Sequence, residues 1–323
     1  MEKKQTKVGQ IVNKVFFETR EIGVIIPMVV FLVYFSAKNP NFLSEVNIIN
    51  ILRSASFTLI SAVGMTFLLI TGSFDLAAGA EVALAGVSTG LALQAGMGIP
   101  LAILIGLLSA ALAGVFLGFC SVNLKIPVFI AGIGVQYAIN GVVLVMTEGA
   151  PVYPLPQAFN DIAEISIGKL PLVVVIALVI ALIGSFVLRY TVFGRKLFAV
   201  GGNEETSRLA GIRCNLIRFA AFIISAGLTG ISGILTAARL NSGQPNAGAD
   251  FPTTVIAACV IGGISLFGGA GSILAAILGS LFMTMLTNGM TITGISPYYQ
   301  KLVLGVILLL SVAFDQFRNS RKA

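Results

Sequence analysis

The sequence predicts an all-α integral membrane protein, a polytopic bundle of about ten transmembrane helices. Three observations carry this. Hydrophobic residues make up 57% of the 323 and charged residues only 10%, against roughly 25% charged in soluble domains. Mean hydropathy is +0.99. Apolar runs long enough to cross a bilayer recur along the whole chain, separated by short polar breaks. A soluble chain of this length would need far more charge to cover its surface. Composition also excludes several chemistries. The chain has no His, which removes His-based catalysis and weakens any metal site. Cys120, Cys214 and Cys259 are odd in number and imply no disulfide framework. No GxxxxGK[ST] phosphate loop occurs, so ATP has no such cradle in this chain.

Residues 1–20 are basic, with Val8, Ile11, Val12, Val15 and Phe16 at helical spacing, the pattern of an arm lying on an anionic membrane face. The first apolar run, Ile22–Phe35, reads as an uncleaved span, because Lys38-Asn39-Pro40 offers no small-residue cleavage site. Ser44 is placed to cap a helix that begins near Glu45 and becomes the second span, Ser54–Thr71. The third runs over Leu76–Gln94 and the fourth over Ile99–Leu124. Lys125-Ile126-Pro127 breaks the fourth before the fifth, Val128–Thr147. Residues 148–169 are a polar insertion whose Pro151, Pro154 and Pro156 argue against a helix at its start. The sixth span, Leu170–Leu188, has fourteen Leu, Ile, Val or Phe among nineteen residues. They favour insertion by about 4–8 kcal/mol. Beyond a charged loop lie spans seven (Leu216–Ala238), eight (Pro252–Gly262), nine (Ser272–Ile292) and ten (Tyr299–Phe317). The eighth is too short to cross about 30 Å as one regular helix. The glycine stretch after it either continues the helix or re-enters under cover of protein.

With ten spans both termini lie on one side, and fifteen of the twenty Lys and Arg fall there. That excess places the termini and the loop after span six in the cytoplasm. The net charge of +7 is thus an orientation signal and not a nucleic-acid surface. The whole of 1–323 reads as one transmembrane domain, with 1–20 as its interfacial arm.

The loop over 191–214 is an island of charge in an oily sequence. Gly201-Gly202 permits a tight turn, Asn203 is a helix N-cap, and Glu204 and Glu205 occupy a first turn where the helix dipole favours acids. Arg208 follows Glu204 at i,i+4, and Gly211 is the stop. Local chemistry alone equally describes a polar loop between two spans. However, FGRKLFAVGGNEETSRLAGI (193–212) closely resembles the cytoplasmic coupling segment of ribose-type ABC sugar importer permeases, in the branched-chain amino acid and monosaccharide permease superfamily. ITGSFDLAAG (70–79), RLNSGQPNAGAD (239–250), IGGISLFGGAGS (261–272) and Pro297-Tyr298-Tyr299-Gln300 match the same family in order, so the resemblance covers about 40–317. Ala77, Ala80, Glu81 and Gly132 depart from its pattern.

The resemblance implies a fold like that of type II ABC importers and the membrane permease subunit of an ATP-driven importer for a monosaccharide, most simply a ribose-like sugar. Gly194, Arg195, Gly201, Gly202, Asn203, Glu204, Glu205, Arg208 and Gly211 would form the ATPase-coupling segment. The implied partners are an ATPase with tandem nucleotide-binding domains, an extracytoplasmic sugar-binding protein, and a second permease chain, identical or related. Membrane lipid surrounds the assembly in the bacterial cytoplasmic membrane. ATP with Mg would be bound by the ATPase, leaving this chain without a cofactor, metal or catalytic residue. A nucleoside, a signalling furanose or a polyol is an alternative cargo, and an ion-coupled secondary transporter is the alternative class. Asp75 reads as the cap of span three or as a gate residue. Glu81, in that span, reads as interfacial or as part of a solute path, because a carboxylate in the bilayer interior needs a partner or water. Asn288, in span nine, reads as an interhelical hydrogen-bonding group or a path residue.

Overall fold

The first apolar run forms α1 (Ile22–Lys38), and a short 3-10 turn over Pro40–Leu43 leads to Ser44. The Ser44 hydroxyl accepts from the Asn47 amide at 3.3 Å, so α2 (Glu45–Ile70) starts where the cap predicts. These helices come from a computed structural model that describes residues 22–320, so the basic arm 1–20 lies outside the described residues. α3 (Ala78–Gln94), α4 (Ile99–Gly118) and α5 (Val128–Thr147) follow. A π-turn over Phe119–Asn123 ends α4, and Lys125 at φ 56° turns the chain into α5. The polar insertion holds α6 (Gln157–Glu164) and a hairpin of β1 (Ser166–Ile167) with β2 (Leu170–Pro171). The sixth span is α7 (Leu172–Tyr190), shortened at its start because Leu170 and Pro171 belong to the hairpin. Then come α8 (Val192–Gly202), α9 (Glu204–Leu209), α10 (Cys214–Leu240), α11 (Phe251–Gly262), α12 (Ile273–Ile292) and α13 (Pro297–Ser320).

Seven of these helices are long and apolar enough to cross a membrane. α2 lies largely inside the bundle, with Ile60, Leu68, Leu69 and Ile70 fully buried. α5 and α7 turn most of their surface outward, presenting Tyr137, Val145 and Leu182. Outward apolar residues are expected where the surroundings are hydrocarbon.

The centre is organised by α2 and α10, which run antiparallel. Ser232 donates its hydroxyl to the Phe57 carbonyl at 2.9 Å, and Gly64 lies against the Ser225 backbone. α3 does not start at the end of the bundle where α2 stops. Ile70 touches Gly201, beside α9, yet Gly233 already meets Val82 in the first turns of α3. Gly233 lies about 28 Å along α10 from Cys214 at 1.5 Å per residue. Residues 71–77 therefore climb into the bundle without forming a regular helix. α11 is the counterpart. It begins beside Gly79 and descends past α2, where Cys259 Sγ reaches the Ala62 carbonyl at 3.6 Å. At Gly263, φ 108°, the chain leaves the helix in a left-handed turn. The short eighth span is thus a half-length helix, with the glycine stretch folding back beneath it.

The two halves pack alike in opposite senses. α3 packs on α10 as α11 packs on α2; α3 meets α4 as α11 meets α12; α4 lies on α10 as α12 lies on α2. Where they meet, a Cβ on Gly79 would collide with the Gly248 carbonyl, and one on Gly248 with the Gly79 carbonyl. Each glycine is the second residue of a similar tetrapeptide, Ala78-Gly79-Ala80-Glu81 and Ala247-Gly248-Ala249-Asp250. These pairings are those of an inverted repeat whose broken helices meet inside the bundle.

Gly79→Ala or Gly248→Ala drives a methyl into backbone and costs about 1–3 kcal/mol. Each lowers the melting temperature of the detergent-solubilised chain by several degrees. Gly227→Ala, at an open position on α10, leaves it unchanged or slightly raised. Equal melting of all three variants would show that the backbone contact is not constraining.

Candidate functional site

The charged loop becomes a small helix on a rigid base. Thr191 caps α8, its hydroxyl accepting from the Gly194 amide at 3.1 Å. Gly194 is pressed against the Val187 and Leu188 backbone, where no side chain fits. At the other end of α8, Gly201 abuts the Ile70 carbonyl that ends α2. The Gly269 amide donates to that same carbonyl at 2.8 Å. Gly268 and Gly269, at φ 89° and 69°, make the turn that permits this approach. Three segments from distant parts of the chain thus converge beneath the loop.

Asn203 then adopts an extended conformation, and its Oδ1 accepts from the Thr206 amide at 2.9 Å. This caps α9 as the sequence predicts. Gly201 and Gly202 are the last residues of α8 and not a free turn before the helix. Gly211 stops α9 at φ 80°, with the Ile212 amide returning to the Ser207 carbonyl at 3.0 Å. Glu204 accepts from Arg208 at 2.7 Å, the i,i+4 pair expected, and also from Arg218 of α10 at 2.5 Å. Burial alone would raise the Glu204 carboxyl. The hydrogen bond and charge of Arg218, with those of Arg208, nevertheless hold it below the ordinary glutamate value. Glu205 is exposed, and Arg195 reaches the Tyr190 carbonyl at 3.5 Å.

Two features here escaped sequence reasoning. Arg218 fixes α9 to α10, a pairing that no periodicity announces. Leu209 is 86% exposed at the tip of α9, an apolar side chain held out in an otherwise polar segment. Its apolar character in so charged a loop was the available signal. A cavity of about 850 Å³ opens beside α9, bounded by its Glu204 and Arg208, by the α4–α5 turn, and by the start of α10.

The remaining candidates lie elsewhere. Asp75 and Glu81 are fully buried at the break before α3. Asp75 Oδ1 accepts from the Ala77 amide at 2.7 Å in the turn before α3, while the helix itself starts after Ala77 with no side-chain cap. The Glu81 carboxyl lies against that of Asp75. Among the described residues, no other group donates to the second Asp75 oxygen or to either Glu81 oxygen. Asn288 exchanges hydrogen bonds with Asn47, at 2.9 and 3.0 Å, and Asn47 also donates to the Phe42 carbonyl at 2.8 Å. That amide pair ties α12 to α2. The structure does not bring Asp75, Glu81 or Asn288 to the α9 loop.

A bundle of apolar spans, broken helices meeting inside it, and a charged helix carried beyond its edge define a multi-pass membrane transport protein. The chain belongs to the family described as the branched-chain amino acid transport system permease component, whose pattern it matches over residues 47–312. It is similar to the ribose import permease protein of Haemophilus influenzae, 33% identical over 308 residues that cover 92% of this chain and 93% of that protein. The ribose import permease protein of Bacillus subtilis is 32% identical over 306 residues, 93% of this chain and 94% of the relative. The autoinducer 2 import system permease protein of Salmonella typhi is 30% identical over 296 residues, 92% of this chain and 85% of that protein. No solved structure matches. The relatives are transport subunits, and this chain is a permease component and not an enzyme.

Because Glu204 titrates lower in the folded chain, its ties stabilise α9 above the ordinary glutamate range of about 4.3 and are lost as pH falls through the lowered folded value. Glu204→Gln therefore speeds amide exchange across residues 204–212 at neutral pH by roughly two- to five-fold relative to the parent. The ratio approaches one only when the pH has fallen below the lowered folded value of Glu204. A ratio that does not change with pH would remove the ion pairs as its cause.

Proposed function

We propose that this chain is the membrane-spanning permease subunit of an ATP-driven importer for a monosaccharide, most simply a ribose-like sugar. The observation that carries the reading is α9, a capped helix with an exposed apolar tip whose base is locked to the ends of α2, α8 and the turn after α11. Such a helix can seat in a cleft of a partner and pass its displacement to the bundle, because no soft connection separates it from the backbone of α2. The partner is an ATPase with tandem nucleotide-binding domains, which binds ATP with Mg; this chain binds none.

Two permease chains, identical or related, form the path, and an extracytoplasmic binding protein delivers the solute. Both termini and α9 lie in the cytoplasm, in keeping with the excess of Lys and Arg on that side. A relative named for ribose import supports a ribose-like cargo; a nucleoside, a signalling furanose or a polyol is the alternative within the same class. One feature favours a different class. The buried Asp75–Glu81 pair at a helix break has the ingredients of an ion-coupled site. Transport that persists without an ATPase and collapses with the ion gradient would establish that second reading.

The test is ATP hydrolysis by the chain reconstituted with its ATPase, with and without loaded binding protein, across a panel of sugars. One sugar stimulates the parent complex, and Glu204→Arg reduces that stimulated rate about tenfold or more while the chain elutes as a folded species. Full transport without an ATPase, or no association with one, overturns the proposal.

A further inference from the structure

We propose that the basic basin beside α9 is a second docking element, which receives an acidic segment of the partner ATPase through Lys125 and Arg213. The inference rests on the importer reading above and adds to it a contact outside the coupling helix. The basin, about 850 Å³, is bounded by the turn after α2 at Gly72–Ser73, the α4–α5 turn, α9 and the start of α10. Its charged lining is Lys125, Arg208, Arg213 and Arg218 against Glu204 alone. Glu204 is already engaged by Arg208 and Arg218, so it does not neutralise the other two. Among the described residues, Lys125 and Arg213 form no ion pair, and the buried Nε of Arg218 has no acceptor.

The wall that carries Lys125 is built and not a slack loop. The Leu124 amide donates to Phe119 and the Ile126 amide to Cys120, both at 3.1 Å, around the left-handed Lys125. One ammonium and three guanidinium groups lining one basin favour an incoming carboxylate. The occupant follows from continuity. Glu204 and Arg208 line the basin and belong to α9, so a subunit seated on α9 also covers the basin mouth. The surface that meets it there must be acidic.

The experiment uses the full-length chain in nanodiscs with its ATPase. Affinity is measured for the parent, for Lys125→Glu/Arg213→Glu, and for Lys125→Asn, which suits the left-handed turn and keeps the fold. A water-soluble carbodiimide, which joins an amine to a carboxylate without a spacer, is applied to the parent complex, and the cross-linked peptides are identified by mass spectrometry. The expected result is a peptide joining Lys125 to an Asp or Glu of the ATPase. The double reversal weakens association about tenfold and Lys125→Asn less, and the parent's affinity falls with added salt. Unchanged affinity in both variants, with no cross-link through Lys125, overturns the inference while leaving the importer reading intact. Loss of binding to phosphatidylglycerol vesicles with unchanged ATPase affinity also overturns it and makes the basin a lipid-headgroup site. If the parent itself binds no ATPase, the importer reading fails and this inference falls with it.

Discussion

The contact between Gly79 and Gly248 is the constraint on which the rest of the bundle depends. Two helices that begin inside a membrane protein leave amide donors without water to satisfy them. The chain solves this by bringing the two starts together, backbone against backbone, where any side chain would hold them apart. On the α3 side, Asp75 accepts from the Ala77 amide. On the α11 side, Pro252 near the start removes one donor, and the Asp250 carbonyl accepts from the Thr254 amide at 3.2 Å. Once these starts are joined, α3 leads to one end of the bundle and α11 to the other. The long antiparallel pair α2 and α10 supplies the wall along which both are laid.

That arrangement connects the interior to the α9 loop by short paths. The carbonyl of Ile70 ends α2, accepts from Gly269, and is covered by Gly201. Five residues further on lies Asp75, at the break itself. The backbone groups that hold the base of the α9 loop therefore also adjoin residues 71–77 in their climb to α3. Glycine at 201 and the left-handed turns at 268 and 269 give these contacts their closeness. Close packing of backbones transmits shifts with little loss, because no flexible side chain lies between them.

Much of this was legible in the residues. The apolar runs marked the spans, Ser44 and Asn203 marked their caps, and Gly211 marked the end of α9. The shortness of the eighth span was already a sign that it does not cross as a regular helix. The third span misled, because its run from Leu76 to Gln94 is long enough to look complete. Only tertiary contact reveals that its start lies deep in the bundle. The paired Ala-Gly-Ala-acid tetrapeptides were on the page, but four residues repeated in opposite topological senses carry no visible period. The Arg218–Glu204 pair and the place of Lys125 in the wall of the same basin depend on how α4, α5 and α10 converge. No local rule of spacing contains that information.

The least comfortable residues are Asp75 and Glu81, and their placement has a physical consequence. Burying two touching carboxyl groups without a basic partner opposes folding, since any ionised form must be held in a medium that solvates it poorly. The N-terminal turn of α3 offsets part of that cost, because its free amide ends favour acidic groups and Glu81 lies in that turn. The remainder must be carried by packing, above all by the Gly79–Gly248 contact immediately beside the pair. Any state in which the two halves separate at that contact would admit water to the carboxyls and recover their solvation. The buried pair is thus a cost that the packing of the two halves against each other has to outweigh, which is a further reason for the backbones to meet without side chains between them.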